Sequence, residues 1–355
     1  MTYQSSIIRV YGATDFITGL RAFAATMVVV MHTGAFAGFG PLGEAITSAG
    51  KYGVDVFFVI SGFTIAKTFT AAPSYRAYFL RRIFRIVPLY WAAIIIGLLM
   101  ARSGIEVSYW MADLDASTDM YNLLLHLAMV SYLDFRVANS VLGVEWTIPI
   151  EVFWYAFLPL LLHRVQTVLR TFGAVLILAV LTGVMAYISK KTLGTSLAIK
   201  WSPVASGHWF FIGALTYFLR EKLDNDRGPR LARVASGAAL VYLAALLVQF
   251  SGRGEVIGLA TAVLLTCASA VRAKWVVAVL TVKPMLFLGS VSYSIYLLHP
   301  LVIAGVHQAG LELEHPFAYF LLVYGLTVGL SFLTYLLIER PSNDLGRRVA
   351  ARVAA

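Results

Sequence analysis

Charged side chains are scarce in this sequence. Asp, Glu, Lys and Arg make up 13% of its 355 residues, against about 25% in an ordinary globular domain. With 59% hydrophobic residues and a mean hydropathy of +0.79, a water-soluble fold is excluded. Cysteine is nearly absent too. Cys267 stands alone, so no intramolecular disulfide can form and the redox compartment is unmarked. There is no Walker A loop and no G-x-S-x-G elbow, which removes the usual nucleotide-hydrolysis and serine-hydrolase signatures. The seven histidines are scattered, with no H-x-x-x-H or C-x-x-C, so no metal site is expected. Low-complexity tracts and internal repeats are also missing, so inverted-repeat transporter architecture has no support. Acidic residues are fewer than basic ones, and the net charge is +10. In an apolar chain that excess belongs in cytoplasmic loops, and no nucleic-acid partner is expected.

What remains is a succession of apolar stretches long enough to cross a bilayer. They fall at 16–37, 53–70, 87–101, 146–162, 171–188, 204–219, 234–251, 255–271, 284–306 and 316–338. A further segment, 121–133, has only 13 residues and suits a re-entrant or interfacial helix better than a span. The expectation is therefore an all-α, polytopic membrane protein of about ten transmembrane helices with both termini cytoplasmic. Residues 1–355 would form a single membrane domain with no separate soluble domain. Lysine and arginine counts agree: in that orientation 20 of the 28 lie inside and seven outside. Counting 121–133 as a span would reverse much of that bias. The first apolar stretch could mimic a signal peptide ending at Ala35-Phe36-Ala37, but Arg21 and His32 within or beside it argue against cleavage.

Arg21 and His32 are the most informative residues. A mid-membrane arginine costs about 2.5 to 3.5 kcal/mol on insertion scales. Eleven residues at about 100° each come within roughly 20° of three full turns, so both side chains share a face, about 16 Å apart along the axis. His32 can accept a proton near neutral pH, or it can anchor a helix end at the interface. Arg21 can serve a polar track or snorkel toward phosphates. Asp55 lies toward the same end as His32, where it could orient the imidazole or cap its own helix. Ser61-Gly62 reads as a close-packing site rather than a nucleophile.

Arg81, Arg82 and Arg85 belong to a basic amphipathic stretch, 74–91, running into the third span, with Pro88 near the helix start. Such arginines bind a phosphorylated donor or anionic headgroups. In Glu145-Trp146-Thr147-Ile148-Pro149-Ile150-Glu151, Glu145 reads as interfacial, whereas Glu151 is deeper and needs a partner. Trp146, Trp154 and Tyr155 fit an interfacial aromatic belt. Ser292, Tyr296 and His299 form one stripe that either faces a cavity or hydrogen-bonds a neighbouring helix. The loop 102–145, with Glu106, Asp113, Asp115, Asp119 and Asp134, is the largest outside segment and a candidate part of an acceptor site.

Six fragments in order carry a resemblance: GLRAFAATMVVVMH (19–32), YGVDVFFVISGF (52–63), RRIFRIVPLY (81–90), EWTIPIEVFWY (145–155), SYSIYLLHP (292–300) and IERP (338–341). Together they resemble the acyltransferase-3 family of integral membrane acyltransferases over essentially the whole chain. The resemblance implies a ten-helix domain that takes an acyl group, usually acetyl, from cytoplasmic acyl-CoA. The acceptor would be a hydroxyl of a carbohydrate such as a surface polysaccharide or lipid-linked glycan, and the location a bacterial inner membrane. Residue by residue, His32 matches the family's essential histidine and Arg21 its motif arginine. Arg82 and Arg85 match the cytoplasmic pair, and Glu151 the fourth-span acid. Thr18 departs from the polar or acidic residue that often precedes GLR. No appended hydrolase-like domain is expected, and the membrane domain would then complete the transfer itself. The oligomeric state is left open. The competing expectation is a proton-coupled transporter or exporter using Arg21, Asp55, His32 and Glu151 as a relay.

Overall fold

The computed structural model describes residues 15–72, 74–165, 167–222, scattered positions of 233–248, 254, 256–263 and 274–354. Among them every regular element is helical and there is no strand. The helices are α1 (Asp15–Thr33), α2 (Gly40–Ala49), α3 (Gly53–Thr70), α4 (Tyr75–Arg102), α5 (Met120–Leu127), α6 (Thr147–Leu162), α7 (Val168–Leu193), α8 (Pro203–Lys222), α9 (Lys274–Leu280), α10 (Lys283–Ser290), α11 (Ser292–Gln308), α12 (Pro316–Thr334) and α13 (Arg340–Ala354). Five helical stretches are long and apolar enough to cross a membrane, or six if the pair α10–α11 counts as one span. The chain is thus a multi-pass integral membrane protein. Much of expected span 234–251 and the second half of 255–271, with Cys267, lie outside the described residues.

Several boundaries differ from the sequence reading, each for a local reason. Helix α4 begins at Tyr75, with Ser74 capping it by accepting from the Ala77 N–H at 3.2 Å, rather than near residue 87. Arg76, Arg81, Arg82 and Arg85 depress local hydropathy, but arginine is a good helix former, so one 28-residue helix runs through them. Pro88 consequently sits mid-helix instead of near a start, and leaves the Phe84 carbonyl without its i+4 donor. The expected ninth span is broken. α10 and α11 meet at 69° about Val291, whose φ of −108° and ψ of 10° leave the helical region. The short segment near 121–133 forms α5, eight residues long, or about 12 Å. That is far short of a bilayer, as its length suggested.

α1 is the central helix. It packs against α3 on one side and against α9, α10, α11 and α12 on the other, which explains why most of its residues are buried. α3 in turn lies along α8, and the two cross where Gly62 faces the Phe210 carbonyl and Gly213 faces the Val59 carbonyl. A Cβ at either glycine would overlap that backbone. Small residues allow this approach in a bilayer, where close packing replaces the hydrophobic drive between helices. α7 is mostly exposed, including Leu169, Ile177, Val180 and Tyr187, as suits a helix facing acyl chains. α13 packs back along α4.

Candidate active site

Because α1 touches α3 and α11, its shared face of Arg21 and His32 opens onto the spaces between them. Two cavities lie back to back there. The first, small at about 60 Å³, is lined by Arg21, Ser61, Arg85, Thr147, Glu151, Tyr155, Ser292 and Tyr293. The second, of about 780 Å³, holds His32, Lys51, Asp55, Trp146 and Lys200. Val54, Phe58 and Tyr296 line both and form the wall between them.

In the smaller cavity, Glu151 of α6 has its Oε1 gripped by two hydroxyls: Ser61 Oγ and Tyr155 OH each donate at 2.5 Å. Arg21 lies within electrostatic range of Glu151 and Tyr155, and also of Arg85 and Arg82. The partner that Glu151 required is therefore a pair of hydroxyls in an arginine-rich field. Ser61, read from the sequence as a packing residue, supplies one of them, while Gly62 supplies the packing.

Arg81, Arg82 and Arg85 of α4 have different fates. Arg82 is buried at 7% exposure. Its guanidinium donates to Thr68 Oγ1 at 2.6 Å and lies over the rings of Tyr78 and Tyr155. Arg81 is exposed and donates through Nε to Ala77 O of its own helix. Arg85 is half-buried and faces the smaller cavity. Of the sequence trio, Arg85 is thus the one that lines that cavity, and Arg82 is engaged as a helix-to-helix brace.

At the other end, His32 is exposed into the larger cavity. Its Nδ1 is 3.0 Å from Val28 O and 3.0 Å from His299 Nε2. His299 has no exposed surface, and its own Nδ1 is 3.1 Å from Ile295 O. A carbonyl can only accept, so both Nδ1 atoms carry the proton. His299 Nε2 is then a bare acceptor facing His32 Nδ1–H, and His32 Nε2 is left as the basic atom. Asp55, the sequence candidate for orienting His32, shares the cavity with it and lies in electrostatic range of Lys200. The recorded partners of His32 Nδ1 come instead from its own helix and α11.

The stripe Ser292, Tyr296 and His299 does both things left open for it. Ser292 and Tyr296 face the smaller cavity, while His299 pairs with His32. Tyr296 donates to Val144 O at 2.8 Å and lies 3.0 Å from Thr147 Oγ1. The 141–144 loop is held by Glu145, which is fully buried rather than interfacial. Its carboxylate accepts from the Val141 and Val144 N–H groups at 2.6 and 3.0 Å. The expected aromatic belt also turns inward. Trp146 lines the larger cavity, Tyr155 the smaller one, and Trp154 is buried with Nε1–H donating to Pro203 O at 3.0 Å. Among the described residues, no group of three His, Cys, Asp or Glu side chains could hold a metal ion.

Sequence reasoning missed Ser61, the His32–His299 pairing, and Lys51, Lys200, Trp110, Trp201 and Trp209 of the larger cavity, whereas Trp146 was among its candidates. A signal existed for His299 alone, through its place on the polar stripe. Comparison with known proteins adds the following. A family model described as an acyltransferase domain matches residues 14–336. O-acetyltransferase OatA of Staphylococcus aureus (strain NCTC 8325 / PS 47) is 25% identical over 389 residues, covering 94% of this chain and 58% of that protein. The same protein from strain MRSA252 matches equally, at 25% identity with 94% and 58% covered. The chain thus spans 58% of the length of these curated relatives. No solved structure matches.

Proposed function

The chain belongs to this acyltransferase domain family, and from that premise we propose that it is a membrane O-acyltransferase. It moves an acyl group, acetyl in the first instance, from cytoplasmic acyl-CoA to a hydroxyl of a carbohydrate acceptor. The observation that carries this reading is the pair of cavities with one common wall, one lined by arginines and the other by His32. In this reading the chain has ten spans with both termini cytoplasmic in a bacterial inner membrane, so Arg85 faces the donor side and His32 the acceptor side.

The negatively charged phosphates of CoA meet Arg85 and Arg21, with Arg81 at the surface; guanidinium forks suit phosphate oxygens. The pantetheine arm then covers the roughly 16 Å of α1 that separates the levels of Arg21 and His32. At the far end His32 Nε2 is the reacting atom. It takes the proton from the acceptor hydroxyl as that oxygen attacks the thioester carbon. The C–S bond breaks, and the departing thiolate collects the proton, leaving an ester and free CoA. If Nε2 instead takes the acyl group first, the same lone pair acts and the same products result. Glu151, held by Ser61 and Tyr155, balances the arginine charge where the donor enters.

The test is transfer of labelled acetyl from acetyl-CoA supplied to inside-out vesicles. His32→Ala should lower transfer by about 10²- to 10⁴-fold, the usual worth of a general base, while the protein stays folded. Undiminished transfer by that variant would overturn the assignment. Acceptor flux without a covalent product would point to a transporter instead.

A further inference from the structure

The larger cavity is of ordinary size for a small-ligand pocket, about 780 Å³ against the usual range of about 300–1,000 Å³, but its lining is unusual. Its wall carries Tyr52, Tyr109, Trp110, Trp201 and Trp209 in addition to Trp146. These rings are braced rather than loose. Trp201, 1% exposed, meets Trp110 edge-on at 4.9 Å, and Tyr109 lies 4.6 Å from Trp110 on its other side. Tyr109 itself is 62% exposed. A membrane belt would turn such rings toward lipid headgroups; here they line a water-accessible chamber. Braced flat rings of this kind stack against the C–H faces of pyranose sugars.

Charge gives the second half of the argument. Lys51 and Lys200 both line the chamber, and among the described lining residues Asp55 is the sole carboxylate. The ammonium of Lys51 sits 5.1 Å from the centre of the Tyr52 ring. Lys200 is close enough to Lys51 to be repelled by it, and Asp55 offsets this in part. Two like charges held toward one water-filled space, with a single acid between them, form a site poised for an anion.

We propose that this chamber binds an anionic carbohydrate, a pyranose chain stacked on Trp110 and Tyr109 whose carboxylate or phosphate meets Lys51 and Lys200. The inference rests on the acyltransferase reading, because it names the acceptor whose hydroxyl is delivered to His32. A uronate and a sugar phosphate share the required chemistry.

The full chain in lipid nanodiscs is titrated with tetragalacturonate, neutral galactotetraose, mannopentaose 6-phosphate and inorganic phosphate, with tryptophan fluorescence as the readout. An anionic sugar should bind at least tenfold tighter than the neutral one. Lys51→Gln combined with Lys200→Gln should abolish the preference, and Trp110→Ala should weaken every sugar. Equal binding of neutral and anionic sugars would overturn the proposal, as would a preference that survives the double variant. Inorganic phosphate giving the same signal as the sugars would overturn it as well. An unchanged thermal unfolding curve guards the variants against misfolding. No acyl donor is present, so the two readings fail separately. Binding without any transfer in the vesicle assay leaves the anionic site standing alone, whereas transfer with only neutral binding leaves the enzyme and removes the site. Relative affinity for the uronate and the phosphate then names the source of the anion.

Discussion

The cavity around Arg21 and the chamber around His32 share a wall but hold charge in opposite ways. On the Arg21 side, ionic groups are crowded and half-buried. Glu151 is clamped by two hydroxyls, and Arg21 and Arg85 lie within each other's field. On the other side His32 is an imidazole fixed by a carbonyl and a second imidazole, with lysines on the surrounding surface. In the proposed reading, strong charge grips the phosphorylated donor, while the proton is accepted at a histidine pair that carries no cation of its own. That reading assigns grip and chemistry to different ends of one helix.

The sharpest way to break that division is His32→Ala. It should remove transfer while acyl-CoA affinity, measured by equilibrium binding to the detergent-solubilised protein, stays unchanged. A large loss of donor affinity would mean that the two ends are one site.

Next comes Arg85→Gln. Loss of a charged hydrogen bond worth about 1.5–3 kcal/mol should raise KM for acyl-CoA roughly ten- to a hundredfold with little change in kcat. A change confined to kcat would instead move Arg85 into the chemistry. Removing His299 should act the other way round. His299→Ala should lower kcat about fivefold, the worth of one neutral hydrogen bond, and leave KM alone. His299→Gln, which restores an acceptor near His32 Nδ1, should recover much of the loss. Failure of Gln to rescue would reduce His299 to a packing residue.

The smallest effect concerns Lys200. Burial, helped by Lys51, lowers its pKa below the ordinary 10.5 although Asp55 pulls it back up. A lysine with a lowered pKa sheds its charge earlier as pH rises. Anion affinity in the chamber should therefore be full at neutral pH and decline before pH 10.5. Lys200→Arg, which keeps its charge, should flatten that decline, as a binding series in pH would reveal.

Much of the site was legible because its residues break a rule. Arg21, His32 and Glu151 stand out as polar side chains in apolar surroundings, and the face shared by Arg21 and His32 follows from helical periodicity alone. What was not legible depends on contacts between distant segments. The His32–His299 bond joins residues 267 apart in sequence, and Ser61 meets Glu151 across 90. No local pattern marks either pair, so Asp55, which orientation places at the same end as His32, stood as the candidate for orienting the imidazole. Glu145 misled for a related reason. An acid at a helix start suggests water, yet it is buried because two loop N–H groups need an acceptor. In the fold, hydropathy pointed to a helical, multi-pass chain, of which five or six helices among the described residues are long and apolar enough to cross a membrane; it misplaced the start of α4 and hid the break at Val291, since neither an arginine-bearing turn nor a bend changes an apolar average in a recognisable way.

The wall of Val54, Phe58 and Tyr296 has an electrical meaning as well as a chemical one. Tyr296 is tied to Val144 O, and Val144 is tied to the buried Glu145, so the septum is braced rather than draped. With an aqueous space on either side, a membrane voltage would fall largely across these few side chains. An elementary charge crossing 100 mV exchanges about 2.3 kcal/mol with the field. In the proposed reading the acyl group that crosses carries no charge, and the CoA phosphates would stay behind with the arginines. Transfer through this septum would thus be electrically silent, neither driven nor opposed by the membrane potential.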